Sequence, residues 1–480
     1  MVRASPLAEA ERARANAESF AHWKAAAQEH DLRSGAEDWR REDESEYYDA
    51  TLLRDDVAQL RALREAADAR GLIRALTASV YRHQADLGAP ELYTGALCGT
   101  RHLVATWLDE AERAMRWLAE HPIAGMPEAE KLRRFETAWA VYGRSALLLS
   151  GGATWGFHHL GVVKALHEAD CLPHIFSGAS TGAMIAGGVC SRNEAELVEL
   201  FANPEALRLD GLRPVGARRA LETGAWLDPE QLLAVLHQNV GELTLGEAFE
   251  RSGRALNISV SPTRTRQKAR VLSHLTAPEV LVASACLASS ALPGLFPPVV
   301  LEARGPDGNY PYAPRERWVD GSLQGDIPKL RLARLHNVNH FIVSQANPHV
   351  AIAGGLVRRE GLVPALAGAT VAAAKSQSTA AAAFARRAAP PSGGVVRQIV
   401  EHTHALVSQD YGGDIVIHPR FRPELLRNLV VNPSPAVLRR FIREGERATW
   451  PILARVQDQT RLGRVFRECV DALKEKRPRD

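Results

Sequence analysis

LLLSGGATWGFHHLGVVKALHEADCLPHIFSGASTGAMIAGG, residues 147–188, decides the fold. Residues 146–149 are an apolar run of strand length, and residues 150–156 form a glycine-rich turn. Val162, Val163 and Leu166 then recur at helical spacing, which predicts a helix. A second strand runs through Ile175 and Phe176 into Gly178-Ala179-Ser180-Thr181-Gly182, which reads G-x-S-x-G. A serine at a sharp strand-to-helix turn holds its hydroxyl clear of the backbone, and small flanking residues let strand and helix cross closely. The following helix aims free N–H groups at the same spot, where they favour a developing anion. The earlier glycine-rich turn supplies further N–H donors, so one nucleophile faces two sources of oxyanion stabilisation.

Alone, G-x-S-x-G also fits a plain strand-to-helix turn with a serine at the helix cap. The paired glycine-rich turn one strand–helix unit upstream argues for chemistry. A dinucleotide fingerprint is disfavoured, because residues 151–156 lack the G-x-G-x-x-G order and no acidic ribose ligand ends the next strand.

The rest of the chain bounds the function. Its 480 residues predict more than one cooperative unit. A hydrophobic content of 46% and a charged content of 24% are those of an ordinary globular protein. A net charge of +3 gives no electrostatic case for nucleic acid as a partner. Cys98, Cys171, Cys190, Cys286 and Cys469 are scattered with no C-x-x-C pair, which predicts a reducing compartment and no structural zinc. The first twenty residues have no apolar signal core, and no window approaches a continuous apolar span of about 20 residues. A cytoplasmic, non-transmembrane chain is expected, with attachment to a membrane or lipid inclusion left open.

Residues 1–143 read as a helical domain, in which the periodic runs 72–84, 100–120 and 128–142 carry Trp and Tyr as packing anchors. Residues 144–350 form the α/β unit, and residues 351–480 an Ala-rich segment followed by an extension ending in helices. Within the α/β unit, residues 194–250 read as helices, either a substrate cap or plain crossovers. Strands are expected at 255–261, 271–273, 318–320, 340–344 and 414–417. Asp320 ends a short strand before Gly321, where an exposed catalytic carboxylate of an α/β sheet belongs, although Asp-Gly is also a common turn.

The glycine-rich turn, G-x-S-x-G and the later Asp-Gly together resemble the patatin-like lipid acyl hydrolases. Further segments resemble the triacylglycerol-lipase branch of that family, known from yeast and plant storage-oil lipases. They are Trp23 with Trp39, Tyr47-Tyr48-Asp49, Gly99-Thr100-Arg101, WVDGSLQGDIP (318–328) and SQDYGGDIVIHP (408–419). Ala153 and Trp155 stand where general patatins have a glycine and a basic residue, a form that branch tolerates. The resemblance implies a three-layer α/β/α hydrolase core with a helical N-terminal domain, and a Ser–Asp dyad without a catalytic histidine. Ser180 would be the nucleophile, Asp320 the general base, and Gly151, Gly152 and Ala153 the oxyanion turn. No cofactor or metal is required. Relatives act on triacylglycerol, phospholipid or lysophospholipid, or as acyltransferases, and the substrate partner would be lipid at a membrane or inclusion surface. The alternative of another class is a non-catalytic lipid-surface binding protein, which has no use for the Ser180–Asp320 pair.

Two further expectations are testable. His158 and His159 follow the turn; a structural role, bonding the turn backbone, is expected for His159. The proline-held loop 292–300 and the Ala-rich stretch are the surface-docking candidates, against the reading that Leu295 and Phe296 fill the acyl pocket.

Overall fold

The structure is a computed structural model that describes residues 5–264, 267–347, 411–419 and 429–476. The Ala-rich segment therefore lies outside the described residues. The chain forms two compact units, one of Met1–Ser145, Ala165–Leu172 and Thr449–Asp480, the other of Ala146–Lys164 and Pro173–Ala448.

The first unit is helical. Its long helices include Ala50–Glu65, His102–Glu120, Glu128–Tyr142 and Leu453–Glu475. Along His102–Glu120, Val104, Trp107, Leu108, Ala111, Met115 and Leu118 recur every three or four residues and bury one stripe. That stripe shares a core with Leu53, Leu60 and Leu72 and with Phe466 and Val470 of the last helix. Trp107 anchors this packing and donates its Nε1–H to Ser79 Oγ at 3.2 Å. The Asp49 carboxylate caps the helix Ala50–Glu65 by accepting the Leu52 N–H.

The second unit is built on a mixed sheet. Its strands are β1 (Arg144–Leu149, which begins in the first unit), β2 (Ile175–Gly178), β3 (Ala255–Pro262), β4 (Arg270–Ser273), β7 (Trp318–Asp320), β8 (Val338–Ser344) and β9 (Ile415–Ile417). The order is β4-β3-β2-β1-β8-β9. β1, β2 and β3 run parallel, as do β8 and β9, and β4 runs antiparallel to β3. Residues 146–149 are fully buried, as parallel strands covered by helices must be. A separate ribbon pairs β5 (Leu301–Gly305) with β6 (Gly308–Tyr312). The helices Thr181–Cys190 and Val282–Ser289 pack on the β2–β3 part of the sheet.

One detail of register positions everything that follows. β2 pairs with β3 from Ala255 to Ile258 and stops at Gly178. β7 pairs antiparallel with β3 from Pro262 back to Val260, the partner of Asp320. β4 also pairs with Val260, so β4 and β7 occupy opposite edges of β3. β7 therefore continues the edge that β2 vacates. The end of β2 and the end of β7 face each other along one strand, two residues of β3 apart.

Candidate active site

Ser180 stands at that junction. Its backbone has φ 53° and ψ −125°, a left-handed conformation that costs a non-glycine residue on the order of 1–3 kcal/mol. The glycines around it make the turn sterically accessible. A Cβ on Gly178 would lie 2.4 Å from Gly182 O, and one on Gly182 would lie 2.2 Å from Leu149 O. The Ser180 N–H donates to Ser289 Oγ at 3.0 Å, and the Ser289 hydroxyl donates to Ser259 O of β3 at 2.7 Å. The strained turn is thus tied to the central strand through one buried hydroxyl.

Asp320 reaches the same place from β7. Its N–H donates to Ala291 O at 3.0 Å, and Gly321 sits so close to β3 that a Cβ there would be 2.0 Å from Ser259 O. The carboxylate is buried. Oδ1 accepts the Ser322 N–H and the Ser322 hydroxyl, each at 2.8 Å, and Ser180 lines the same cavity as this carboxylate. Burial pushes the Asp320 carboxyl up to about 6, against the opposing pull of the Ser322 hydrogen bonds and of the nearby Ser180 hydroxyl.

The glycine-rich turn follows β1 beside the pair. A Cβ on Gly152 would meet Ala346 O at 2.8 Å, and one on Gly151 would meet the Ser322 side chain at 3.0 Å. Ala153 takes φ 47°, and Thr181 Oγ1 donates to Ala153 O at 2.8 Å, linking the turn to the serine's helix. Gly152, Ala153, Ser180 and Asp320 line one cavity. Among the described residues, the Gly152 and Ala153 N–H groups donate no hydrogen bond, whereas the Gly151 N–H donates to Asp326 Oδ1 at 2.7 Å. Asn347 Nδ2 donates to the other Asp326 oxygen at 2.6 Å. Burial pushes the Asp326 carboxyl up to about 7. Asp326 and Asn347 were not expected at the site; each follows a strand or short helix and precedes Pro or Ile-Pro, which reads as an ordinary loop.

The histidines take other roles. His159 Nε2 donates to Ser150 O at 2.9 Å, so its Nδ1 accepts the Ser344 hydroxyl at 2.7 Å. Burial lowers its pKa to about 4 and keeps the ring neutral. This is the turn-bonding arrangement expected for it. His158 is fully buried with neither ring nitrogen hydrogen-bonded, and burial holds its pKa well below the usual range.

The cavity has a volume of about 340 Å³ and mostly aliphatic walls, among them Met184, Ile185, Leu212, Leu236 and Leu295. Parts of residues 200–240 line it, so that helical excursion contributes to its wall. In the loop 292–300, Leu295 and Phe296 both line the cavity and Phe296 is 4% exposed, which supports the acyl-pocket reading of these two side chains. A Leu295→Ser, Phe296→Ser double change is therefore expected to lower activity on a soluble short-chain ester by about tenfold, as deleting apolar contact with a bound chain does. Unchanged soluble-ester activity with lost liposome binding would return the loop to the surface.

Residues 147–330 match the family described as Patatin-like phospholipase, and residues 3–139 match a Domain of unknown function (DUF3336). A "Patatin-like phospholipase domain-containing protein" of Chaetomium globosum is 34% identical over 474 residues, covering 93% of this chain and 55% of that one. "Triacylglycerol lipase ptl3" of Schizosaccharomyces pombe is 31% identical over 449 residues, covering 90% of this chain and 91% of that protein. The chain spans about half the length of several fungal relatives that it matches. Among solved structures, VipD from Legionella pneumophila aligns with a TM-score of 0.33 at 16% identity, over 65% of this chain and 67% of that one.

Proposed function

The chain belongs to the patatin-like phospholipase family, and from that premise we propose that it is a serine lipid acyl hydrolase acting on long-chain fatty acyl esters, with triacylglycerol as the leading substrate class. The observation that supports this reading is Ser180, held on a strained turn and lining the same apolar cavity as the buried Asp320 carboxylate.

Asp320 takes the Ser180 proton as Oγ attacks the ester carbonyl carbon. The carbonyl oxygen becomes an anion facing the Gly152 and Ala153 N–H groups, while Gly151 is held by Asp326 and fixes the turn's position. Collapse of the tetrahedral species breaks the bond to the alkoxy oxygen, which leaves as the alcohol with the proton from Asp320. Asp320 then accepts a proton from water as the water attacks acyl-Ser180. The fatty acid departs and the proton returns to Ser180. Burial makes a carboxylate basic enough for this task, since its own pKa in water is too low.

Aggregated lipid is the proposed partner, met at a surface. No helix among the described residues is long and apolar enough to cross a membrane. The test is direct. Labelled triacylglycerol, phosphatidylcholine and lysophosphatidylcholine are incubated with the purified protein, with and without an acceptor alcohol, and the products resolved. Fatty acid release from triacylglycerol is expected, reduced by about 10³-fold or more in Ser180→Ala. Release that survives Ser180→Ala unchanged would remove the serine mechanism, and transfer to the acceptor in place of release would make the protein an acyltransferase.

A further inference from the structure

The cavity extends away from the catalytic pair along the helix Thr181–Cys190. Its walls on that side are Thr181, Met184, Ile185, Gly188 and then Arg192, which is one face of the helix and its continuation. The facing wall is one stripe of the helix Pro229–Val240, from Leu232 through Leu236 to Val240. Both walls span eight residues, Ser180 to Gly188 and Leu232 to Val240, which is about 12 Å at 1.5 Å per residue.

Arg192 is the last residue of this wall. Its Nη1 donates to Gly188 O at 2.6 Å, which folds the guanidinium back beside Gly188. Arg192, Leu200, Leu207, Asn239 and Val240 also line a second cavity of about 510 Å³, whose other walls include Glu196, Glu199, Gln238 and Glu242. The two cavities thus share a wall that carries one cation, Arg192. Glu194, the acid nearest in sequence, is engaged by Arg254, and Glu196 by Arg251.

We propose that Arg192 is the end stop of an acyl channel that runs from Ser180 past Gly188, and that these two residues set the acyl chain length the enzyme prefers. The inference rests on the proposed acyl hydrolysis at Ser180. An extended chain of single bonds advances about 1.2 Å per bond, so a channel of about 12 Å takes roughly ten bonds before the chain meets the guanidinium. Methylenes pressed against it would exclude water from a charged group without replacing its hydrogen bonds, which is unfavourable. A chain longer than that must bend aside or displace the arginine head. Gly188 controls the width just before the stop. A Cβ there would make ordinary contact with Arg192 Nη1 at 3.4 Å, so the backbone tolerates a side chain, but a long one would occupy the channel.

The two residues predict opposite shifts. The readout is the ratio of kcat/KM for p-nitrophenyl palmitate to that for p-nitrophenyl octanoate, in detergent-dispersed form. Arg192→Ala widens the channel toward the second cavity and is expected to raise the ratio at least about fivefold. Gly188→Leu blocks the channel and is expected to lower it at least about tenfold. Leucine is a better helix former than glycine, so this variant keeps the test alive if Arg192→Ala does not fold. Equilibrium binding of decanoate and palmitate to the same proteins gives a readout independent of turnover. It separates failure of the channel from failure of the assigned reaction. A ratio that stays within twofold of the native one in Gly188→Leu, or that moves the same way in both variants, overturns the proposal.

Discussion

Asp320→Asn is expected to lower ester turnover by about a thousandfold or more, with the protein folded. The amide keeps an oxygen for the Ser322 donors but has no basic site for the Ser180 proton. His158→Ala and His159→Ala are expected to retain most of the chemistry. The His159 ring is spent on Ser150 O and Ser344 Oγ, so its loss acts through the turn, and neither His158 nitrogen hydrogen-bonds Ser180. The native pH profile follows from the same assignment. Asp320 works only as a carboxylate, so kcat/KM should rise with pH through about 6 and then level off. Acylation rates measured by stopped flow, with folding checked by circular dichroism, decide the matter. Histidine variants as damaged as Asp320→Asn would end the histidine-free mechanism.

The same substitution is expected to make the protein more stable at pH 8. The Asp320 carboxyl titrates at about 6 in the folded chain against 3.8 for the free side chain. Between those values the folded state holds a proton that the unfolded state has released, so stability declines as pH rises across that interval and stays low above it. Below about 3.8 both states are protonated and the difference vanishes. At 1.36 kcal/mol per pKa unit, the charged form costs on the order of 3 kcal/mol at pH 8, which the neutral amide removes. Asp326, raised further to about 7 by burial, adds a cost of the same sign. Thermal unfolding of the second unit at pH 5 and pH 8 tests this. The gain of Asp320→Asn over the native chain should be larger at pH 8, and an equal or smaller gain there would show that the carboxylate is better compensated than its burial implies. Activity and stability would then oppose each other at one atom.

Local signals in the sequence were strong where one residue type alone satisfies the geometry. Gly178 and Gly182 are written as glycines because a Cβ at either would strike backbone, and Ser180 follows a buried strand as the motif requires. The Asp320 strand, the antiparallel neighbour β4 and the strands β8 and β9 were all readable from short apolar runs bounded by turns. The ribbon β5–β6 has no counterpart among the expected elements, although Asp307-Gly308 is a hairpin signal; with β6 largely exposed it lacks the apolar alternation that marks a half-buried strand. Asp326 and Asn347 were illegible for another reason. Asp326 meets Gly151 across 175 positions and Asn347 joins through Asp326, and nothing in the local sequence of either segment encodes these contacts. The acyl-channel wall at 232–240 was visible as a helix, but its cavity-facing stripe looks like any core-facing stripe.

The end-to-end meeting of β2 and β7 on β3 has a consequence for how such a chain can diversify. Ser180 and Asp320, the proposed nucleophile and base, lie 140 positions apart in the numbering, yet both are referenced to one strand within two residues. The intervening polypeptide, part of which lines the cavity, carries little of that reference beyond β3, the helix Val282–Ser289 and the contacts of Ala291 and Val299 with β7. Its loops can lengthen, shorten or be exchanged while the reacting atoms keep their separation. In such an architecture, chemistry is inherited through a few registers of one β-strand, and substrate choice is left to segments free to drift.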